Sequence, residues 1–267
     1  MLFRGGFKVL RIVKGELLTM RRFERELLEK GFYILPQVDS EIIESLIGFS
    51  SNLNTNKGLG FHTSHFLPDL KEKVKIHEFL NQTIETIVKD YFQDYKIIYA
   101  NFMIKGGGKE GAVPLHADWS YVDETQFVSY SIWLPLCNIS AQNGGFGVVP
   151  YSHLIANQER GPNIHLTSRR KDAEIIERWG ESLQMKKGEM LVYDHRLLHY
   201  SDVNLSEHVR VALNLSIVPN KVPLHHYYKD PASQKIRKYL NCDSSFYIKN
   251  TFWIVPLGEN FELVTAT

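Results

Sequence analysis

Apolar positions change period once along this chain, close to residue 95. Before that point they recur every three to four residues, and after it they alternate. Residues 20–31 (MRRFERELLEKG) are charged at most positions, place Phe23, Leu27 and Leu28 on one side, and end on Gly31, a helix stop. FYILP then reads as a short strand. Asp39 and Ser40 are N-cap candidates for a second helix with Ile43, Leu46 and Ile47 on its buried face. From 76 to 92, Ile76, Phe79, Leu80, Ile84, Ile87, Val88 and Tyr91 keep helical spacing and predict the clearest amphipathic helix.

From Lys96 onward KIIYANFMIK, FVSYSIWLPL, EMLVYD and VRVALNLSIV all read as strands, separated by glycine-rich and polar breaks such as IKGGGKEGA and SAQNGGFG. Strands in this number with no helices alternating among them predict a mainly β fold with N-terminal helices, its antiparallel sheets closing on one another as in a jelly roll. Residues 153–182 break the pattern. They are polar and end in a helical stretch, KDAEIIERWG. An insertion of that length at a barrel mouth commonly forms a lid, and the alternative is a solvated excursion. With no internal repeat, residues 20–267 are expected to be one domain, and residues 1–19 a leader or poorly ordered segment.

Composition narrows the function classes. Lys and Arg total 31 against 30 for Asp and Glu, a formal charge of +1, so no case for nucleic acid or an anionic membrane follows. Two cysteines, Cys137 and Cys242, are too few for a disulfide scaffold, and a reducing cytoplasm is expected. No run of 18 apolar residues suggests a membrane span. The basic N-terminus lacks the long apolar core and cleavage site of a signal peptide.

Three residue groups carry candidate chemistry. His116 and Asp118 stand two apart in an extended segment, so their side chains share a face while Ala117 points away. His199 follows far downstream, with Ser201 on the same face. Two histidines and one carboxylate make a facial set that leaves coordination positions open, as non-haem Fe(II) oxygenases require and closed structural zinc sites do not. Arg210 follows in VRVALNLSIV, whose Val209, Val211, Leu213, Leu215 and Ile217 form one apolar face. Arg210, Ala212, Asn214 and Ser216 form the other. An arginine there needs a buried anion such as a carboxylate cosubstrate, unless that row faces solvent. HxD alone is a weak signal, and its weight comes from the ordered His, Ser and Arg behind it. His195 is a competing ligand, and His153 lies in a turn and is expected to hold loop geometry. His62, His65, His165, His208, His225 and His226 are expected at the surface or a pocket rim. Trp119 and Trp133 sit near the site as packing or as a substrate platform.

The motifs LHADW (115–119), SIWLPL (131–136), NGGFGVVPYSHL (143–154), KGEMLVYDHRLLHYS (187–201) and NLSEHVRVALN (204–214) resemble the phytanoyl-CoA dioxygenase family of Fe(II)/2-oxoglutarate oxygenases. The opening FERELLEKGFYILPQVDSEIIESL is similar to that family's helical N-terminus, so the likeness spans roughly residues 20–220. The stretch from about 221 to 267 matches nothing nameable. Relatives often carry a polar residue where this chain has Ala117.

The resemblance implies a double-stranded β-helix with Fe(II) at its open end, held by His116, Asp118 and His199. It implies 2-oxoglutarate and O2 as cosubstrates, released as succinate and CO2. The far carboxylate would pair with Arg210, with Ser201 donating a further bond. Asn101, Met103 and Lys105, on one face of the strand before HxD, would line the cosubstrate end. Related halogenating enzymes replace the carboxylate by a small residue, so Asp118 favours hydroxylation. The expected substrate is a small molecule, an amino acid or secondary-metabolite intermediate, with Trp119, Trp133 and Arg169 as contacts. Arg160, Arg170 and Lys171 of the insertion either recognise a carboxylate or phosphate or form a solvated charge run. The alternatives are a non-catalytic jelly-roll binding module and a cupin-type non-redox metalloenzyme. Oligomeric state is not readable.

Overall fold

The computed structural model describes residues 21–53, 60–157, 159–164, 169–250, 255–256 and 260–264. The expected leader at 1–19 lies outside the described residues, as does His165. Three helices open the fold. Helix α1 (Arg22–Lys30) stops at Gly31, whose φ of 88° lets its N–H reach the Leu27 carbonyl. After β1 (Phe32–Gln37), helix α2 (Ser40–Ser51) is capped by Asp39, which accepts from the Glu41 N–H at 2.8 Å. Strand β2 (Phe61–Thr63) precedes helix α3 (Leu70–Tyr91), which starts a turn and a half before its apolar pattern does. Asp69 caps it through the Lys71 N–H. The first turns, LKEKVK, are too polar for periodicity to register.

The strands that follow swap sheets in turn. One six-stranded antiparallel sheet has the order β1-β8-β5-β10-β3-β2, using β3 (Tyr95–Lys105), β5 (Tyr130–Pro135), β8 (Glu189–Asp194) and β10 (Arg210–Pro219). A four-stranded sheet, β4-β9-β6-β7, uses β4 (Val113–His116), β6 (Phe146–Val148), β7 (Glu181–Ser182) and β9 (His199–Ser201). From β3 to β10 the chain crosses from sheet to sheet at nearly every step, which is the winding of a double-stranded β-helix.

Alternation gives each sheet two distinct faces. Ala100, Phe102, Ile132, Leu134, Val192, Leu213 and Leu215 point outward and are covered by Phe23, Leu27, Leu46, Leu80 and Ile84 of the three helices. Each such aliphatic or aromatic side chain stabilises by about 1.5–3 kcal/mol when fully buried. Their neighbours Trp133, Leu191, Tyr193 and Ala212 point inward and meet Phe146 and Val148 of the smaller sheet. Val209 falls before β10 and is exposed, so it does not extend the apolar face expected of it.

Helix α4 (Arg169–Trp179), the helical part of the insertion, is not over the mouth. Ile175 and Ile176 pack on Leu115, Val149 and Tyr200, covering the outer face of the smaller sheet. The polar part of the insertion is the part near the site, where Ser120 N–H donates to the Arg160 carbonyl at 3.2 Å. Beyond the barrel, β11 (Leu224–Lys229), β12 (Ile236–Cys242) and β13 (Phe261–Val264) form a third sheet with helix α5 (Ser244–Lys249) beside it. Leu224, Tyr228, Tyr239, Tyr247 and Ile248 of this unit pack on Ile98, Tyr99, Tyr121 and Val122. Among the described residues, no helix is long and apolar enough to cross a membrane.

Candidate metal centre and anion pocket

His116 ends β4 and His199 begins β9, and the two are direct cross-strand partners, with ring centroids 4.1 Å apart. Asp118 stands past the end of β4, so its carboxylate arrives from a loop rather than by strand alternation. One donor atom from each of His116, Asp118 and His199 lies within 4.8 Å of the others. Both imidazoles are tethered by Nδ1, His116 to the Pro114 carbonyl at 2.8 Å and His199 to the Leu197 carbonyl at 3.0 Å. Donation from Nδ1–H to those carbonyls leaves each Nε2 lone pair for a cation. Ser131 donates to Asp118 Oδ2 at 2.5 Å. The His199 ring lies parallel to Phe146 (7°, 5.2 Å) and against Tyr193 at 4.8 Å.

The electrostatics match a ligand set. Burial, aided by His116, pushes His199 down to about 4, so its 3.8 Å approach to Asp118 is a neutral imidazole beside a carboxylate. Burial works to raise Asp118, but the three nearby histidines and the Ser131 hydroxyl outweigh it and hold the carboxyl below its ordinary value. The donor set is one carboxylate and two neutral imidazoles, which suits a borderline divalent metal such as Fe(II).

A second polar group lies inside the barrel. Arg210 and Lys105 are register partners on β10 and β3, 2 % and 0 % exposed. Among the described residues neither forms an ion pair, although the Asp202 charge lies near enough to act on Lys105. The Arg210 guanidinium lies 5.3 Å from the Trp133 ring and donates to the Gly144 carbonyl, while its Nε is buried without a partner among the described residues. Burial lowers it to about 10. Lys105 Nζ donates to Ser201 Oγ at 2.6 Å and to the Asp202 carbonyl. Burial, then the Arg210 charge, brings it to about 7. Because Ser201 accepts from Lys105, its own O–H remains to be given to an anion. Two enclosed cations without a carboxylate are costly unless a ligand supplies the negative charge. Gly144 shapes the wall: its φ is 74°, and a Cβ there would fall 2.7 Å from Lys105 Cδ. The solvent-facing alternative for the Arg210 row is thereby excluded, since Ala212, Asn214 and Ser216 are buried too.

Other expectations divide. Asn101 and Met103 share the inner face with Lys105, opposite Asn214 and Ala212, and Asn101 is held by Thr63. Trp133 is 1 % exposed and belongs to the barrel interior beside Arg210, which leaves it no open face to serve as a substrate platform. Trp119 is half-buried next to Asp118. Arg169 opens α4, and its side chain lies outside the described residues. Arg160 is neither solvated nor free for a substrate: it is 1 % exposed, bonded twice to Glu124 (2.7 and 2.8 Å), and its Nε donates to the Asp118 carbonyl at 2.8 Å. Arg170 is in water beside Glu174.

His65, His225 and His226, expected at the surface or a rim, are 2 %, 5 % and 3 % exposed. The C-terminal sheet and α5 enclose the last two, and sequence pattern did not reveal those elements as a cover. His195 is not in the three-donor cluster: its Nδ1 is 2.7 Å from Ser129 Oγ. His153 holds its turn to α1 through the Leu28 carbonyl. Ser131, Tyr193, Tyr121 and Glu124 escaped sequence reasoning. Inner-face alternation with Trp133 and Leu191 would have found the first two.

A family model described as phytanoyl-CoA dioxygenase matches residues 48–212. Among curated proteins, the phytanoyl-CoA dioxygenase domain-containing protein 1 homolog of Dictyostelium discoideum is 21 % identical over 170 residues, covering 61 % of this chain. The chain spans only 60 % of that relative's length. Among solved structures, EvdO2 from Micromonospora carbonacea var. aurantiaca complexed with 2-oxoglutarate matches with a TM-score of 0.55 and 19 % identity, over 75 % of this chain and 91 % of that one. The 2-oxoglutarate-dependent epimerase SnoN from nogalamycin biosynthesis matches at 0.57 and 11 % identity, over 94 % and 99 %. HygX from Streptomyces hygroscopicus, with nickel, 2-oxoglutarate and hygromycin B bound, matches at 0.54 and 16 %, over 76 % and 88 %. At these identities the solved structures establish the shared jelly-roll fold. With the family model covering more than half its length, the chain belongs to the phytanoyl-CoA dioxygenase family.

Proposed function

We propose that this protein is an Fe(II)- and 2-oxoglutarate-dependent oxygenase that hydroxylates a C–H bond of a small molecule in the cytoplasm. The observation that carries the reading is the pairing of a three-donor cluster with a buried Arg210–Lys105 pair that forms no ion pair among the described residues of the same barrel. A metal-only site, as in a cupin-type isomerase, has no use for the two cations. A binding module has no reason to keep three ligands tuned to accept a metal.

His116, Asp118 and His199 would hold the iron. Arg210 would pair with the far carboxylate of 2-oxoglutarate, Ser201 would donate a further bond, and Lys105 would orient Ser201 and add positive charge. When bound, iron and 2-oxoglutarate supply the oxidising chemistry, with O2 consumed and succinate and CO2 released. The chain itself fixes geometry. Phe146 and Tyr193 wall the His199 ring, Ser131 orients the Asp118 carboxylate, and Trp133 excludes water from the pocket. Asp118 occupies a position that a halogenating enzyme needs open, which favours hydroxylation. The 2-oxoglutarate-dependent epimerase SnoN among the fold relatives marks another outcome that an enzyme of this fold and cosubstrate reaches.

Anaerobic addition of Fe(II) and 2-oxoglutarate should give a weak visible charge-transfer band, and admission of air should yield succinate. Asp118→Ala should lose both. Near-wild-type succinate formation by that variant would remove Asp118 from the ligand set and the oxygenase assignment with it.

A further inference from the structure

The C-terminal unit lies beyond the family model, which ends at residue 212, and it is built against the loop that follows Asp118. His226 of β11 sets its ring edge-on to Trp119 at 5.1 Å. The His225 N–H donates to the Tyr121 carbonyl at 2.9 Å. Tyr247 of α5 packs edge-on to the Tyr121 ring at 5.0 Å and donates its hydroxyl to the His225 carbonyl at 2.8 Å. Tyr121 meets His195 at 4.9 Å. One wall of aromatic and imidazole rings thus runs from the metal loop to α5.

That wall carries no free charge. His195, His225 and His226 are all more than nine-tenths buried. Each keeps one ring nitrogen without a partner among the described residues: Nε2 of His195 and His225, and Nδ1 of His226. Burial pushes them to about 4, 4 and 3, so the rings are neutral at physiological pH. The charges nearest His195 and Tyr121 are already committed: Asp118 belongs to the three-donor cluster, Asp194 pairs with Arg196, and Arg160 and Glu124 form an enclosed ion pair. Asp123 is occupied by Thr125 and Gln126, and the half-buried Lys238 sits over the Tyr227 ring. A carboxylate or ammonium entering here would lose its water without gaining a counter-charge. A hydroxyl or carbonyl would find imidazole nitrogens that donate or accept, and ring faces to lie against. If these positions served packing alone, phenylalanine would fill them without stranding polar nitrogens.

We propose that Trp119, Tyr121, His195 and His226 form the substrate subsite, and that it selects an uncharged, ring-bearing, hydroxylated small molecule over free amino acids and carboxylates. This deepens the oxygenase reading by naming its substrate class, although binding can be measured whether or not turnover occurs. Saccharides and polyhydroxylated aromatics share the chemistry, and the probes separate them.

The test uses the full chain with Ni(II) and 2-oxoglutarate, titrated by ligand-observed NMR with methyl glucoside, resorcinol, benzoate and L-phenylalanine. One neutral probe should bind, and the two charged probes should bind at least tenfold more weakly. His226→Phe should raise the neutral probe's Kd at least tenfold with the 2-oxoglutarate Kd unchanged. His226→Gln, which keeps a neutral hydrogen-bonding group, should stay within threefold and serves if the phenylalanine variant does not fold. Equal or tighter binding of benzoate or L-phenylalanine, no binding of either neutral probe, or neutral binding indifferent to His226→Phe would overturn the proposal. So would a glutamine variant as weak as the phenylalanine one. Neutral binding that depends on His226 in a protein lacking the charge-transfer band would leave the subsite standing and sink the oxygenase reading instead.

Discussion

Replacing Lys105 with methionine should move stability and cosubstrate affinity in opposite directions. The ammonium is fully enclosed and held at about 7, against 10.5 for an ordinary lysine. At 1.36 kcal/mol per pH unit, carrying that charge costs the fold on the order of 4 kcal/mol at pH 7. Because the folded value lies below the unfolded one, the penalty is fully present below about pH 7 and is lost as pH rises toward 10.5. Methionine fills most of the volume but forfeits the bonds to Ser201 Oγ and the Asp202 carbonyl, about 1 kcal/mol each. The apo variant should therefore be more stable by about 2 kcal/mol at pH 7, an advantage that vanishes at about pH 9 and is slightly reversed above it. Its affinity for 2-oxoglutarate should fall, because a charge-assisted contribution of about 1.5–3 kcal/mol disappears, roughly a 10- to 150-fold rise in Kd. Urea denaturation without the keto acid at pH 7 and pH 9.5, and calorimetric titration of 2-oxoglutarate into the Ni(II) protein, read the two effects separately. A variant less stable at pH 7 that binds 2-oxoglutarate as tightly as wild type would refute the reasoning and make Lys105 a structural prop.

Two further changes probe the same architecture. Gly144→Ala places a methyl group against Lys105 Cδ and the Asp202 carbonyl at a left-handed backbone position. It should lower stability by about 1–3 kcal/mol and weaken 2-oxoglutarate binding, seen by thermal denaturation and titration; unchanged binding would mean Gly144 does not shape the pocket. Glu124→Gln leaves Arg160 enclosed without its counter-charge and should cost about 3–5 kcal/mol. Adding Arg160→Met should restore part of that loss in the same urea assay, and no recovery would show that the pair's charge is not the issue.

Period-two patterning was enough to say which side chains share a face, but not what covers that face. It grouped Arg210 with Asn214 and Ser216, and Asn101 with Lys105, because a strand's geometry enforces that grouping whatever the fold around it. It also put His116 beside Asp118, although the strand ends at His116 and the carboxylate comes from the loop. Burial of His225 and His226 was invisible, because it depends on a C-terminal sheet that pairs only with itself and docks through aromatic contacts without a local signature; burial of His65 depends on equally distant partners, Tyr99 and the Asn250 carbonyl. Arg160 was misjudged for the related reason that its partner, Glu124, sits on a different loop and only tertiary structure brings them together.

The same alternation explains why this site was readable at all. The outward row of the six-stranded sheet is apolar through its middle, as helices packing on it demand, with polar residues such as Asp194 and His62 only toward the strand ends and the edge. Along β10, β3 and β5 the inward row carries Arg210, Lys105, Asn101, Asn214 and Ser131, where aliphatic side chains would make a more stable barrel. Each of these costs desolvation, and several keep unpaired atoms, Arg210 Nε, Asn101 Oδ1 and Asn214 Oδ1 among them. A fold that breaks its own pattern in the middle of one face, and next to a three-donor cluster, is giving up stability where a ligand must be held. The cost is local and recoverable, since an anion entering between Arg210 and Lys105 supplies the charge that folding alone leaves missing. On this argument the pocket is least stable when empty, and ligand-free protein should gain more thermal stability from 2-oxoglutarate than from a monocarboxylate of similar size.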